Sequence, residues 1–260
     1  MIANCVNCDV EPPRSTMVDK VKIVVFSGAG VSQESGLDTF RKGGLWDGMS
    51  VNEVANIQSW WAGPASQQKM LDFYNYRRRE CVNANPNAAH LALAELEKEG
   101  HEVTIVTQNV DNLHERAGSS KVLHLHGEIM KARPDDDEDM IIDWTGDMNL
   151  GDLVNGSQVR PYIVWFGEGL PRFEQAYDAA TEPDIDVLIV VGTTLEVGPA
   201  NLCAFHTKAK KVFVIDPDPP VFGVSRGHYG GLSPHPDCTV IPLKAGEGVR
   251  LVVDRLLAEA

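Results

Sequence analysis

VKIVVFSGAGVSQESGLDTFR, residues 21–41, is the stretch on which the fold turns. Residues 21–26 are a short apolar run rich in β-branched side chains, the pattern of a parallel strand covered on both faces. Ser27, Gly28, Ala29 and Gly30 end that strand. Glycines at 28 and 30 permit positive φ and carry no Cβ, so backbone N–H groups could approach a pyrophosphate at the mouth of the following helix. This outlines a nucleotide site, although the same strand–glycine–helix corner is as often only a tight turn.

Further strand and turn signals follow in alternation with helical ones. Aromatics crowd a helical stretch that runs to about residue 83, and most of them suit the core of a small helical module. Asn85 and Pro86 offer an N-cap and a first-turn proline; Ala89, Ala92, Leu93 and Leu96 form an apolar stripe, and Gly100 closes the helix. Residues 103–106 read as the next buried strand, ending in TQNVDNLHERAG, polar residues at the carboxyl end of a strand, where open α/β sheets bind ligands. KVLHLH (121–126) reads as a strand ending at Gly127, and 187–191 as one entering the glycine turn GTTLEVGPA. Another strand, 211–215, ends in Asp216, and Val249, Val252, Val253, Leu256 and Leu257 line one side of a closing helix. Residues 131–161 show no strong periodicity, and their PDDDED run (134–139) reads as a solvated acidic loop, so this segment is expected to be an insertion rather than core. Strands alternating with helices imply an α/β fold with a doubly wound parallel sheet.

Composition narrows the function classes. A 260-residue chain can bury one large α/β domain with a smaller module. Its net charge of −14 argues against a nucleic-acid or anionic-membrane surface as the main partner. No apolar run approaches the roughly 18 residues of a spanning helix, and the first residues lack a signal peptide's pattern, so a cytoplasmic protein is expected. The cysteines, an odd five, are scattered, which disfavours a disulfide framework. Cys5 and Cys8 form half of a tetrahedral zinc site with no second pair, so residues 1–16 are expected to be a disordered extension, with folding beginning near Met17.

SGAGVSQESGLDTFR, TQNVDNLHERAG, HLHG, YIVWFGE and VGTTLEVGPA, in this order, resemble the sirtuin family of NAD-dependent protein lysine deacylases over about residues 21–218. The resemblance implies a Rossmann-type NAD-binding domain (17–42, 84–126 and 162–260) and a small second domain formed by two insertions (43–83 and 127–161). It implies that acyl-lysine oxygen attacks C1′ of NAD's ribose, giving nicotinamide, free lysine and O-acyl-ADP-ribose, with His126 as general base. Imidazole suits that task because its ordinary pKa of about 6.5 lies near working pH. Asn109 and Asp111 would orient the ribose and nicotinamide end, and Phe40 would cover the reacting face. Cofactor contacts would also come from Gly28, Ala29, Gly30, Ser32, Thr39, Arg41, Gln108, Gly192, Thr193, Asp216 and Gly246, the last four at or near the adenosine end. His124, His90 and His114 read as structural.

The implied partners are acylated-lysine proteins or peptides, held as an added strand between residues 165–168 and 195–198, with Phe166, Gly167, Glu168 and Val197 in contact. A monomer without nucleic-acid or membrane partners is expected. Tyr74 and Arg77 in FYNYRRR match the Tyr-x-x-Arg pattern of the branch that prefers succinyl, malonyl or glutaryl lysine; a guanidinium fork grips a carboxylate. Arg78 and Arg79 read as solvated surface, and KGGLW after Arg41 looks about one residue shorter than in relatives. The family's second insertion usually holds zinc on four cysteines, but no cysteine lies between Gly127 and Trp165, so thiolate zinc is excluded there and no metal is expected. Trp144, Met148, Leu150, Leu153 and Val154 are the expected packing substitutes. Two other readings stay open: an ADP-ribosyltransferase or NAD glycohydrolase on the same site, and an NAD-sensing module without turnover.

Overall fold

The computed structural model describes residues 20–39, 50–196, 199–220, 222–225 and 232–259. In chain order the strands are β1 (Lys22–Ser27), β2 (Glu102–Thr107), β3 (Val122–His124), β4 (Gly127–Pro134), β5 (Ile142–Asp143), β6 (Leu153–Val154), β7 (Ser157–Ile163), β8 (Val187–Val191), β9 (Lys211–Ile215), β10 (Val224–Ser225), β11 (Leu232–Ser233) and β12 (Cys238–Ile241). The helices are α1 (Val51–Val54), α2 (Ile57–Trp61), α3 (Pro64–Asn83), α4 (Ala88–Lys98), α5 (Leu113–Ala117), α6 (Phe173–Thr181), α7 (Leu202–Phe205) and α8 (Ala245–Glu259).

Six strands form one sheet in the order β12-β9-β8-β1-β2-β3, every neighbouring pair parallel. The α/β architecture expected from the alternation is therefore present. Strand alternation divides the core: Ile23, Val25, Ile189 and Val191 face α4 and α8, whereas Val24, Phe26, Leu188 and Val190 face α6 and α7. Chain order reverses between β1 and β8, which makes their carboxyl ends the switch point of the sheet. There β1 runs into a 3₁₀ helix, Ala29–Ser35, and β8 into Gly192. No described helix is long and apolar enough to cross a membrane.

The glycine argument needs correction. Gly28 has φ −127°, and Gly30 is not among the described positive-φ glycines. Both are needed for close approach instead: a Cβ on Gly28 would sit 2.7 Å from the Gly192 carbonyl oxygen, and one on Gly30 2.7 Å from the Gly192 Cα. Gly192 does have positive φ, +63°, and its own Cβ would meet the Val31 nitrogen at 2.3 Å. Helix α4 is capped by Asn87 rather than Asn85, its side chain accepting from the Ala89 N–H at 2.9 Å. Gly100 closes that helix in the left-handed region (φ +98°), as its position suggests.

The segment expected to lack periodicity forms a four-stranded antiparallel sheet, β5-β4-β7-β6, in which β4 and β7 are the long pair. Its signal is weak because β4 mixes Glu, Lys and Arg into its pattern and shifts register against β7 between Gly127 and Ala132. This sheet shares a core with the helices before α4: Ile129, Ala132, Met148 and Val159 pack with Trp60, Met70, Leu71 and Phe73. Of the expected substitutes for zinc, Met148 is fully buried and Trp144 and Val154 pack partly against this core. Leu150 and Leu153 instead stand in solvent, 36% and 59% exposed.

Polar bonds add to this apolar contact between the sheet and α3, and reading Arg78 as solvated surface is wrong. Arg78 is 1% exposed; its Nε donates to the Ile129 carbonyl at 2.9 Å and Nη1 to Asn75 Oδ1 at 2.9 Å and the Gly146 carbonyl at 3.1 Å. Asn75 completes the knot, donating to the Met148 carbonyl and accepting its N–H, each at 2.8 Å. Burial lowers the Arg78 pKa to about 10, so the guanidinium stays charged at neutral pH. Arg79 is solvent-facing and pairs with Asp147 at 2.7 Å, a contact of small weight. Trp60 donates to both oxygens of Asp135, at 3.0 and 2.9 Å, fastening one end of the acidic loop.

Arg78→Met keeps side-chain length but strips the donors from the buried Ile129 carbonyl and Asn75 side chain, and should cost roughly 3 kcal/mol. Thermal unfolding checks this; an unchanged melting temperature would refute a structural role for the guanidinium.

Candidate active site

A cleft of about 720 Å³ lies between the carboxyl edge of the parallel sheet and the helices and sheet that follow it. Ala29, Gln108, Asn109, His126, Tyr74, Arg77, Phe166, Gly167 and Glu168 line it, so residues proposed from separate stretches of sequence meet in one cavity. Phe73, Leu170 and Phe173, which sequence reading missed as site residues, also line it, and with Trp165, the first residue of the expected substrate-holding segment, they make much of its wall apolar. Phe73 was within reach, because it precedes Tyr74 on α3 and lies four residues before Arg77. Phe40, Arg41, Val197, residues 1–16 and the KGGLW segment lie outside the described residues.

The loop after β2 is set by its own strand. The Gln108 N–H donates to the Ser27 carbonyl at 2.9 Å, and the Asn109 N–H to Thr107 Oγ1 at 3.0 Å. A polar chain then crosses to the 3₁₀ helix: Asn109 Nδ2 donates to Ser32 Oγ at 3.1 Å, and the Ser32 hydroxyl to Asp111 Oδ2 at 3.0 Å. The other Asp111 oxygen accepts the Leu113 N–H at 3.2 Å. Burial raises the Asp111 pKa, and these two donors oppose the rise.

His124 and His126 leave the same stretch two residues apart and grip consecutive carbonyls. His124 Nδ1 lies 2.8 Å from the Asn109 oxygen, and its Nε2 2.7 Å from Glu115 Oε1 on α5. Both partners only accept, so both ring nitrogens carry protons; burial works against that charge, but the Glu115 carboxylate holds the pKa above its ordinary value. Thus His124 is structural, as expected, although through an ion pair as well as the backbone. His126 Nδ1 donates to the Gln108 carbonyl at 3.0 Å, and burial lowers this ring's pKa, the Gln108 bond opposing only in part. A neutral ring with Nδ1–H engaged presents Nε2 as an acceptor. His90 and His114 are deep in the core, ring centroids 4.8 Å apart; burial lowers His90 to about 4 and His114 well below its usual value.

Gly127 explains how His126 is held at the edge. At φ +86° a Cβ there would lie 2.1 Å from the Tyr162 carbonyl oxygen, so only glycine lets β4 start this close to β7, while the Val164 N–H anchors the His126 carbonyl at 3.0 Å.

Opposite stands the segment at 165–168. Both backbone groups of Phe166 are turned to α1 and α2, its N–H to the Ala55 carbonyl at 2.9 Å and its carbonyl to the Ile57 N–H at 3.0 Å, while its ring is 54% exposed. The Glu168 carboxylate is bound by Arg160 through two 2.8 Å bonds and by the Trp165 N–H at 2.8 Å, so this side chain is committed inside the protein. Arg160, stacked 3.5 Å above the Trp165 ring, is fully buried. Tyr74 is buried beside Trp165, ring centroids 6.0 Å apart, and burial raises its pKa, keeping the phenol protonated as a donor.

The remaining predicted contacts gather at the interlocked glycines. N–H groups of Gly28 and Gly30 donate to the carbonyls of Val191 at 3.0 Å and Gly192 at 2.8 Å, so neither points outward as the sequence argument supposed. Gln108 Nε2 reaches Thr193 Oγ1 at 3.3 Å. Gly30, Thr39, Gly192 and Asp216 line a second hollow of about 30 Å³, room for about one water. Glu34, on its wall, accepts the Gly246 N–H at 2.7 Å at the start of α8. Among the described residues no cluster of His, Cys, Asp or Glu has the arrangement of a metal site.

Comparison with known proteins agrees with this geometry. Residues 28–199 match the model of the Sir2 family. An NAD-dependent protein deacylase of Helicobacter pylori (strain J99) is 49% identical over 200 residues, which span 75% of this chain and 82% of that protein. A crystal structure of a Sir2 homologue–NAD complex superposes with a TM-score of 0.75 at 35% identity, covering 91% of this chain and 90% of the other. A Sir2–p53 peptide–NAD+ complex superposes at 0.69 with 26% identity, covering 91% and 94%. With a family match across most of its length and a relative at that identity sharing three quarters of it, this chain belongs to the Sir2 family.

Proposed function

We propose that the chain is an NAD-dependent protein lysine deacylase with preference for acyl groups that end in a carboxylate. The observation that carries the reading is His126: a half-buried, neutral imidazole, tethered at Nδ1, whose ring lines the same cleft as Asn109 and the Tyr74–Arg77 pair. That the Helicobacter relative is named for this activity, and that one superposing homologue binds NAD, supports it.

The donor set suits the ribose and nicotinamide end of NAD. Gln108 and Asn109 contribute carboxamides that can match an amide, and the buried Asp111 holds Asn109 in place through Ser32. When bound, NAD supplies an electrophilic anomeric carbon with nicotinamide as the leaving group. His126 Nε2 would take up a proton from a ribose hydroxyl after the acyl oxygen has displaced nicotinamide at that carbon, freeing the hydroxyl oxygen to bond to the acyl carbon; the apolar walls, Phe73, Trp165, Leu170 and Phe173, would limit competing water at the anomeric carbon. Nicotinamide, free lysine and O-acyl-ADP-ribose would be the products, one water being consumed when the bond between the acyl carbon and the lysine nitrogen breaks.

An acylated peptide enters along the 165–168 segment. Phe166 has no backbone group to offer, whereas the Gly167 backbone makes no hydrogen bond among the described residues and is the place for a substrate strand to pair. At the far end of the acyl group, Arg77 supplies the positive charge and Tyr74 a phenolic donor. Residues 43–83 and 127–161 are read as the small domain that brings these two to the Rossmann-type domain.

His126→Ala should lower kcat/KM for deacylation by at least about 10², while NAD still raises the melting temperature; peptide mass spectrometry and thermal shift read the two. The depressed pKa sets the sign of the pH profile: His126 is competent when neutral, so kcat/KM falls as pH drops through a midpoint below the ordinary 6.5. A midpoint at or above that value would contradict the assignment. Arg77→Met should cut the ratio of succinyl- to acetyl-lysine kcat/KM by about tenfold or more, the weight of a charge-assisted contact; an unchanged ratio would defeat the acidic-acyl preference.

A further inference from the structure

Among the described residues lining the cleft, Arg77 is the one guanidinium, and its charge is not free. Nη1 is paired with Glu80 Oε2, one helical turn on, at 3.1 Å, and Nη2 donates to the Asp38 carbonyl at 3.1 Å, while Nε is buried without a hydrogen-bond partner. The pair is sheltered: the Arg77 side chain is 7% exposed and Glu80 23%, so solvent screens their interaction only in part. The other acid lining the cleft, Glu168, is already neutralised by Arg160. The charge an entering acyl group meets is therefore that of Arg77 less whatever Glu80 cancels.

We propose that Glu80 is a specificity-determining residue that restrains the acidic-acyl preference: it acts as a resident carboxylate on Arg77, against which a substrate carboxylate must compete. The inference rests on the deacylase reading above. A neutral acyl group has no quarrel with Glu80, since it does not need the guanidinium's charge; an anionic one meets like-charge repulsion from a carboxylate held on the same fork. Glu80 thus narrows the gap between the two substrate classes, leaving the enzyme less selective than Tyr74 and Arg77 alone would make it. The helical spacing makes this automatic, because residues three apart stand side by side and Glu80 cannot avoid Arg77.

The test measures kcat and KM for succinyl- and acetyl-lysine peptides of one sequence with the wild-type protein, E80Q and R77M. Removing the resident charge while keeping its shape should raise the succinyl-to-acetyl ratio of kcat/KM about fivefold in E80Q, mainly through a lower KM for the succinyl peptide. A ratio that is unchanged or lower in E80Q, while R77M collapses it, overturns the role of Glu80 and leaves the acidic-acyl reading standing. A ratio insensitive to R77M removes that reading, and this inference with it.

Discussion

The contact on which the rest depends is backbone against backbone: the turn after β1 lies flat on the turn after β8. Gly28 and Gly30 donate to the carbonyls of Val191 and Gly192, and no side chain could be inserted on either surface without collision at under 3 Å. Because this happens at the switch point, it fixes the two halves of the sheet where their chains diverge. The Ser27 carbonyl then accepts the Gln108 backbone N–H, and the Thr193 hydroxyl oxygen accepts from the Gln108 side chain, so the loop after β2 inherits its position from that contact. With the N–H groups of Gly28 and Gly30 spent internally, these two glycines give the turn shape rather than donors, and polar side chains come from the ends of β2 and β3.

Those side chains show how one stretch of sequence makes two histidines into different reagents. His124 and His126 each face a backbone carbonyl through Nδ1. At His124 the second nitrogen meets the Glu115 carboxylate and the ring holds a charge; at His126 no described carboxylate is paired with the ring, and burial favours the neutral form. The charged one fastens the loop that carries Asn109, and the neutral one is left able to accept a proton. Moving Glu115 by a single helical position would exchange neither role cleanly, since the cation would be lost without freeing a base.

Much of this was legible beforehand for a physical reason. Parallel strands buried on both faces are continuous apolar runs, so β1, β2, β8 and β9 stand out at once, and strand ends followed by Gly28, Gln108, Gly127 or Gly192 locate the ligand edge. The small sheet was not legible, because an antiparallel pair with one wet face, a register shift and several charges has almost no periodic signal. Local spacing also cannot report what a glycine avoids: positive φ and close approach select the same residue, and only the position of Gly192 separates them. The hold of Glu34 on Gly246, 212 residues away, likewise exists only once the fold is formed.

The three consecutive arginines of α3 make the same point at the scale of one turn. Successive helical residues diverge by about 100°, so Arg77, Arg78 and Arg79 must face three surroundings. Arg77 is directed to the cleft, Arg78 into the joint with the small sheet and Arg79 into water. In a small sheet whose span from Gly127 to Trp165 contains no cysteine, that joint is an internal cation satisfied by carbonyls rather than a metal held by thiolates. The consequence is mechanical: the helix that presents Tyr74 and Arg77 to the cleft is pinned by its next residue to the sheet it rests on, so its cleft-lining face cannot shift without breaking buried hydrogen bonds. Stability of the small sheet and position of the side chains that α3 lends to the cleft are therefore one constraint, carried by neighbouring residues on a single turn.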